Sequence, residues 1–198
     1  MAFRVVNHEV AYLLGALRDA SIGLRKGKNY ELRLYQDCDQ WLAEIAAILE
    51  ANFGLHSRIR NKLLRANGRD AIKQIVKVSE YVCPQDSWGT PSQILDASTE
   101  LKWSYLSGFW DAEGGLPLKP VIAKQKYVSF DQKAKPALEF LRDFLISEGI
   151  KPTHLTNTGQ VWQFRITRFR HMETFANKVK SLHFDKRSRL SELVASLP

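Results

Sequence analysis

Cysteine is scarce in this chain: only Cys38 and Cys83 occur among 198 residues, and they form no C-x-x-C pair. This usage is typical of a reducing compartment and favours buried or incidental thiols over a disulfide framework or a zinc site. Histidine gives no metal-binding spacing either, so each histidine is interpreted as structural or solvated: His8, His56, His154, His171 and His183.

Long apolar runs and low-complexity segments are also missing. The longest N-terminal apolar run, AYLLGAL at residues 11–17, is too short to cross a bilayer, and the NHE before it does not resemble a signal peptide. We therefore expect a protein that is not secreted and has no membrane partner, located in the cytoplasm or, in a eukaryote, in an organelle.

Acidic residues do not balance the basic ones. The chain has 29 Lys and Arg against 21 Asp and Glu, a net charge of +8. An excess of this size favours a polyanionic partner, with nucleic acid ahead of a membrane surface. The composition, 44% hydrophobic and 25% charged, predicts an ordinary buried core.

Two apolar helices end on an acid. The stretch LSGFWDAEGG, residues 106–115, places Glu113 directly before two glycines, and YLLGALRDASI, residues 12–22, places Asp19 in a similar position. A carboxylate at a helix C-terminus is disfavoured by about 0.3–1 kcal/mol because it faces the negative end of the helix dipole. Another requirement must select these acids.

The two acids belong to an internal repeat. They lie 94 residues apart, and LYQDCDQWLAEIAAILEANFGL at 34–55 resembles FDQKAKPALEFLRDFLISEGI at 130–150 at an offset of 96, which becomes 95 at Gly54 and Gly149. In both copies the acid-tipped helix precedes strand-like alternation and an amphipathic helix that ends at Gly54 or Gly149. The repeat therefore predicts a duplicated unit.

Each unit is predicted to run α-β-β-α-β-β-α. The fold class is α+β: two pseudo-symmetric units, each a curved antiparallel four-stranded sheet with helices on one face. The first unit spans residues 1–98, with a linker at 80–98, and the second spans residues 99–198. The predicted strands include 57–65, 71–78 and 161–168, with basic or polar side chains alternating on the outward face.

These features resemble the LAGLIDADG homing endonucleases in their single-chain, two-motif form, as in archaeal members. The second motif, LSGFWDAEG, matches well, with Gly108 and Glu113 in place. The first, LLGALRDAS, departs: aligning Gly15 with Gly108 puts Ala20 at the acid position, whereas aligning Asp19 with Glu113 puts Leu14 at the glycine. We prefer the second alignment because it follows the repeat offset.

The resemblance implies a monomeric, metal-dependent endodeoxyribonuclease that cuts one phosphodiester in each strand of a long pseudo-palindromic or asymmetric target. The cofactor is Mg²⁺, as two or three ions, with Mn²⁺ substituting and Ca²⁺ binding without turnover. An intron-encoded or free-standing gene is expected. The implied metal ligands are Asp19, Glu113, Ala20 and Ala112, and the implied catalytic residues are Asp19, Glu113, Gln36, Gln132 and Lys133.

Residues on the outward sheet faces and in basic loops are candidates for contact with double-stranded DNA. In the first unit they are Arg25, Lys26, Lys28, Arg33, Tyr35, Arg58, Arg60, Lys62, Lys73 and Lys77. In the second they are Lys124, Lys126, Gln163, Arg165 and Thr167.

The irregular first motif leaves an alternative open. The resemblance also covers catalytically impaired proteins that only bind nucleic acid, either RNA maturases or DNA-binding regulators. If Asp19 does not reach the metal, one strand or neither would be cut.

Overall fold

The computed structural model describes residues 6–24 and 30–198, without the side chain of Gln85. In the first repeat unit a helix that ends in a 3₁₀ turn leads into two strands, a second helix, a hairpin and a third helix. Their bounds are α1 His8–Ala16 with the 3₁₀ turn Leu17–Asp19, β1 Ala20–Gly23, β2 Glu31–Tyr35, α2 Asp39–Phe53, β3 Ser57–Arg60, β4 Leu63–Asn67 and α3 Arg69–Ser79.

The second unit repeats this order after a connection that contains a short helix, and one helix is added at its end. The bounds are α4 Ser92–Leu95 in the connection, then α5 Thr99–Glu113, β5 Gly114–Gly115, β6 Val128–Gln132, α6 Lys135–Ser147, β7 Thr156–Asn157, β8 Trp162–Ile166, α7 Phe169–Lys178 and the added α8 Phe184–Ala195.

Two antiparallel four-stranded sheets with matching topology form the framework. Their strand orders are β1-β2-β4-β3 and β5-β6-β8-β7. The registers also match, because Ala20 pairs with Leu34 in one sheet and Gly114 pairs with Phe130 in the other. The predicted α+β fold is confirmed.

Gly54 and Gly149 follow their helices as expected. Both adopt positive φ, 61° and 79°, a left-handed conformation that glycine takes without steric cost.

Two strand predictions were wrong. Residues 57–65 form a hairpin, because Asn61 and Lys62 take positive φ (52° and 62°) and reverse the chain between β3 and β4. Residues 71–78 lie inside helix α3 rather than in a strand. Ile72 and Ile75, three positions apart, are buried there, which is the spacing of one helix face.

The motif helices α1 and α5 cross at the centre of the molecule, where Gly15 and Gly108 face each other. A Cβ atom on Gly15 would lie 2.0 Å from Tyr105 O, and one on Gly108 would lie 1.9 Å from Tyr12 O. Only glycine allows the two backbones to approach so closely. Helix α1 then contributes to both hydrophobic cores, with Leu14 in that of the second unit and Leu13 in that of the first.

Within the described residues, no helix is both long enough and apolar enough to cross a membrane.

Candidate metal centre and nucleic-acid interface

The acids that end the two motif helices have matching partners. Gln36 Nε2 donates to Asp19 Oδ2 at 2.8 Å, and Gln132 Nε2 donates to Glu113 Oε1 at 2.8 Å. Gln36 lies two positions after Leu34, and Gln132 lies two positions after Phe130; Leu34 and Phe130 pair with the first residues of β1 and β5. Because side chains alternate along a strand, each glutamine projects on the same side of its sheet as that buried residue. The fold thus builds one acid–amide pair in each unit.

The 3₁₀ turn explains the irregular first motif. Asp19 follows Gly15 by four positions, whereas Glu113 follows Gly108 by five. Helix α5 is α-helical throughout, but α1 changes to 3₁₀ at Leu17, and a 3₁₀ helix rises further per residue. The glycines therefore meet at the crossing, and both acids still immediately precede equivalent strands. The alignment of Gly15 with Gly108 describes the crossing, and the alignment of Asp19 with Glu113 describes the helix ends.

The acids lie close enough to interact electrostatically. Burial, followed by the charge of Asp19, raises the pKa of the Glu113 carboxyl to about 7. Burial also raises the pKa of Asp19, opposed by the hydrogen bond from Gln36. Two anions held at the negative ends of helices are costly without a counter-charge, which a divalent cation supplies.

Backbone carbonyls add oxygen atoms near these acids. Ala112 O lies 3.5 Å from Gln36 Nε2, the same amide that is bonded to Asp19, so it faces the space between the two units. Ala20 begins strand β1 and pairs with Leu34 in the ladder. Carboxylate and carbonyl oxygens are the donors that Mg²⁺ and Ca²⁺ prefer, and the residues present therefore suit such an ion.

Lys186, a buried lysine on α8, was not among the residues predicted from the sequence. Its Nζ donates to three carbonyls at the end of α5: Trp110 O at 3.0 Å, Asp111 O at 2.8 Å and Gly114 O at 2.7 Å. Burial lowers the pKa of Lys186 to about 8, although the charges of Asp111 and Glu113 oppose this shift. The C-terminus of a helix usually carries a basic side chain in its own last turn. For α5 this positive charge is supplied by Lys186, which lies on another helix more than 70 residues away in sequence.

A second pseudo-symmetric feature secures the helix ends. Arg18 donates to Trp88 O at 2.6 Å and to the hydroxyl of Tyr105 at 3.0 Å. At the equivalent position of α5, Asp111 accepts from the hydroxyl of Tyr12 and from the backbone N–H of Leu182 at 2.7 Å. A buried cation in one unit and a buried anion in the other thus bind the segments that follow α3 and α7.

The residues after the two glutamines differ in charge. Lys133 is exposed beside Gln132, whereas its counterpart Asp37 forms an ion pair with Lys62 at 2.8 Å. Lys62 lies in the β3–β4 turn, and its carbonyl accepts from the Gln36 N–H at 2.9 Å. A lysine therefore stands near each glutamine, supplied by a different element in each unit.

The outward face of the first sheet carries a row of arginines. Arg33 on β2 is the ladder partner of Arg65 on β4, which is also the partner of Arg58 on β3. A groove of about 940 Å³ lies on this face, lined by Glu31, Tyr35, His56, Ser57, Arg58, Arg60, Asn61, Leu63, Arg65 and Asn67. Arg65 was not among the predicted DNA contacts, because β4 was not predicted as a separate strand.

Like charges directly opposite one another destabilise a sheet. Glu31 accepts from Arg33, but among residues 6–24 and 30–198 no ion pair is formed by Arg58 or Arg65. An anionic partner bound to the row of Arg33, Arg65 and Arg58 would therefore reduce the repulsion between these side chains.

Lys73 and Lys77 do not belong to this face. They lie on helix α3, which buries Ile72 and Ile75 in the core on the other side of the sheet. The prediction that they project from an outward strand face is corrected accordingly. Arg25, Lys26 and Lys28 lie outside the described residues.

The outward face of the second sheet has a different chemistry. Gln163 donates to Asp131, and the Arg165 guanidinium lies 4.6 Å from the centre of the Tyr127 ring. Thr167 follows β8 and is exposed. In the β5–β6 connection Lys124 is exposed, whereas Lys126 Nζ donates to Ser196 Oγ at 2.6 Å, next to the end of α8.

Comparisons with known proteins agree with this architecture. A family model described as a LAGLIDADG-like domain matches residues 100–180. Homing endonuclease I-ApeI of Aeropyrum pernix is 30% identical over 197 residues, which cover 92% of this chain and 86% of that protein.

Solved structures of homing endonucleases share the fold. I-DmoI in complex with DNA and Mn superimposes with a TM-score of 0.65 at 17% identity, covering 87% of this chain and 96% of that one. I-DmoI has also been solved with DNA and Ca. I-WcaI bound to its DNA recognition sequence gives a TM-score of 0.62 at 17% identity, covering 90% and 83%.

The structure thus has two acid-tipped helices that cross at glycines and two sheets of matching topology, and I-ApeI matches this chain over nearly its whole length. This chain belongs to the LAGLIDADG homing endonuclease family.

Proposed function

We propose that the protein is a site-specific homing endonuclease that hydrolyses one phosphodiester in each strand of double-stranded DNA, with Mg²⁺ as cofactor. The observation that carries the proposal is the pair of acids at the ends of the crossing helices, each bonded by a glutamine at 2.8 Å. The named functions of I-ApeI and of the DNA-bound structural neighbours support it.

Asp19, Glu113 and the carbonyls of Ala20 and Ala112 would hold the divalent ions. Bound there, the ions supply an activated water and stabilise charge on the phosphate and leaving oxygens. Because the donors are all oxygen atoms, Mn²⁺ is expected to replace Mg²⁺, and Ca²⁺ to bind without turnover.

The chain's own residues orient these groups. Gln36 and Gln132 fix the carboxylates through hydrogen bonds from their side-chain amides, and Gln132 Oε1 also accepts from the Lys133 N–H at 2.7 Å. Lys133 brings positive charge beside the Glu113–Gln132 pair, where the negative charge of a reacting phosphate develops, whereas Lys62, near the Asp19–Gln36 pair, is ion-paired with Asp37.

The binding-only alternative depended on the irregular first motif. The 3₁₀ turn gives Asp19 the same strand and glutamine environment as Glu113, which favours cleavage of both strands. The lysines come from different elements, so the two strands are expected to be cut at different rates.

The target is expected to be asymmetric. The first sheet offers a row of arginines, which suit guanine edges and phosphates, whereas the second offers Gln163, bonded to Asp131, and Arg165, which lies over the Tyr127 ring. Faces of such different chemistry would read different half-sites.

A cleavage selection tests the proposal. The purified protein is incubated with a randomised plasmid library in Mg²⁺, and linear products are sequenced. The proposal predicts one enriched asymmetric sequence and no linear product in Ca²⁺. Persistent binding without cutting in either Mg²⁺ or Mn²⁺ would contradict it and favour a nucleic-acid-binding protein.

A further inference from the structure

Three side chains with metal-binding atoms converge at a place separate from the paired acids. Cys38, His183 and Asp185 each offer one ligand atom, and these atoms all lie within 4.8 Å of one another. Cys38 precedes the first residue of α2 and His183 precedes the first residue of α8, with Asp185 in the first turn of α8. The cluster therefore joins a helix of the first unit to the helix added after the second.

The cluster is enclosed on one side and open on the other. Cys38 is 6% exposed and His183 is 5% exposed, whereas Asp185 lies at the surface. The centres of the His183 ring and the fully buried Trp41 ring lie 5.7 Å apart, so the histidine packs against the core. An ion can thus reach the sulfur and the imidazole past the exposed carboxylate.

One nitrogen of the His183 ring carries no proton. Nδ1 accepts from the backbone N–H of Lys186 at 3.4 Å, which caps the start of α8. A metal bound at Nδ1 would take the place of this long hydrogen bond and would not have to displace a proton.

We propose that Cys38, His183 and Asp185 bind one Zn²⁺ ion. A thiolate, an imidazole and a carboxylate form a donor set that zinc accepts in tetrahedral coordination, with a water in the fourth position. Mg²⁺ prefers an octahedron of oxygen atoms, so this site selects against the ion that suits the paired acids. The binding step transfers the thiol proton of Cys38 to solvent and involves no redox change.

The ion would stabilise the centre of the molecule through its position. The backbone N–H of His183 donates to the buried Asp111 carboxylate at 3.1 Å, two residues before Glu113. Zinc bound to the His183 ring would tie this segment to the start of α2. Because it binds the folded state preferentially, Zn²⁺ at a hundredfold excess over Kd should raise the melting temperature by about 5–10 °C.

Cobalt substitution gives a direct test that requires no DNA cleavage. The whole chain is stripped with a chelator and titrated with Co²⁺, which gives a thiolate-to-metal charge-transfer absorption when a cysteine coordinates it. We expect this absorption to saturate at one Co²⁺ per chain and to disappear on adding Zn²⁺. The proposed nuclease function could fail without affecting this result.

Variants assign the ligands. Cys83→Ser, which changes the exposed cysteine outside the cluster, serves as the matched control and should keep the absorption, whereas Cys38→Ser should lose it. Asp185→Asn, at an exposed position that is expected to tolerate the change, should weaken Co²⁺ affinity at least tenfold while the protein stays folded by circular dichroism. Absence of the absorption in the parent chain, or its persistence in Cys38→Ser, would overturn the proposal.

Discussion

Gly15 and Gly108 face each other across the centre of the molecule, at a distance that leaves no room for a side chain on either. A Cβ atom on Gly108 would stand 1.9 Å from Tyr12 O, which is backbone and cannot rotate away. We expect Gly108→Ala to lower the free energy of unfolding by about 1–3 kcal/mol or more, because one added methyl group overpacks the crossing.

Denaturant unfolding measures this effect, and Gly89→Ala is the control. No heavy atom lies within 4 Å of the Cβ that this second change would add. Equal stability of Gly108→Ala and the parent chain would mean that the helices do not approach as closely as described.

The raised pKa of Glu113 predicts a pH-dependent difference between the parent chain and Glu113→Gln. A carboxyl whose pKa rises from 4.5 to about 7 on folding binds its proton more tightly in the folded state. Without divalent ions its contribution to stability is therefore full below pH 4.5 and is lost between about pH 4.5 and 7. The Gln variant lacks this loss, so its stability relative to the parent should increase over that range, by up to about 3 kcal/mol.

Unfolding of both proteins in chelator at several pH values gives this difference, in which other titrating groups such as His183 largely cancel. A constant difference between pH 5 and 7.5 would show that Glu113 ionises normally in the folded protein.

Arg65 should contribute to DNA affinity while slightly destabilising the free protein. It lies between Arg33 and Arg58 in the ladder, so Arg65→Gln removes two like-charge contacts and should leave stability unchanged or raise it by a few tenths of a kcal/mol. Specific binding should weaken by about 1–3 kcal/mol, or the salt slope should fall by about 1 if Arg65 contacts phosphate.

Lys73→Gln is the matched control, because Lys73 carries the same charge on a helix behind the sheet. Binding is measured in Ca²⁺ as a function of salt. If Lys73→Gln weakens binding as much as Arg65→Gln, the DNA does not lie on the outward face.

Lys186 is expected to stabilise the end of α5 and to keep Glu113 ionisable. Lys186→Met removes a charged donor from three carbonyls and should cost about 1.5–3 kcal/mol of stability. It also removes a positive charge that lowers the pKa of Glu113, so that pKa should rise further and Mg²⁺-dependent cleavage should require a higher pH.

The pH profile of cleavage separates this role from a purely structural one, and exposed Lys180→Met is the control. A loss of stability with an unshifted profile would show that Lys186 supports the fold without acting on the acids.

The repeat made much of this architecture predictable from sequence. Matching offsets located Asp19, Glu113 and both glutamines, because duplicated units preserve the order of their elements. The strand prediction at 71–78 failed because a short stretch with an apolar residue at every third or fourth position was interpreted as alternating. Lys62 was wrongly predicted to lie in a strand because it and Asn61 take positive φ in the turn, which non-glycine residues seldom do.

Contacts between distant segments could not be predicted in this way. Lys186 reaches the end of α5 from the last helix. Arg18 donates hydrogen bonds to the connection after α3, whereas Asp111 accepts them from the connection after α7. Cys38 and His183 are 145 residues apart, so spacing alone could not bring them together. The local sequence does not distinguish a solvated side chain from the buried positions that tertiary packing gives Lys186, Arg18 and His183.

Strand-resolved cleavage of the selected target by the parent chain, Asp19→Asn and Glu113→Gln shows whether the paired acids hold the catalytic ions. In Mg²⁺ the parent should linearise a supercoiled plasmid, and each variant should lose double-strand cleavage by about 10²–10³-fold, because an anionic ligand is removed where charge must be stabilised. DNA affinity in Ca²⁺ should hold or improve. If only Asp19→Asn cleaves normally, Asp19 is not the first metal ligand, and Asp37 is the next candidate. If both variants linearise the plasmid at the parent's rate, the paired acids do not hold the catalytic ions, which contradicts the proposed mechanism.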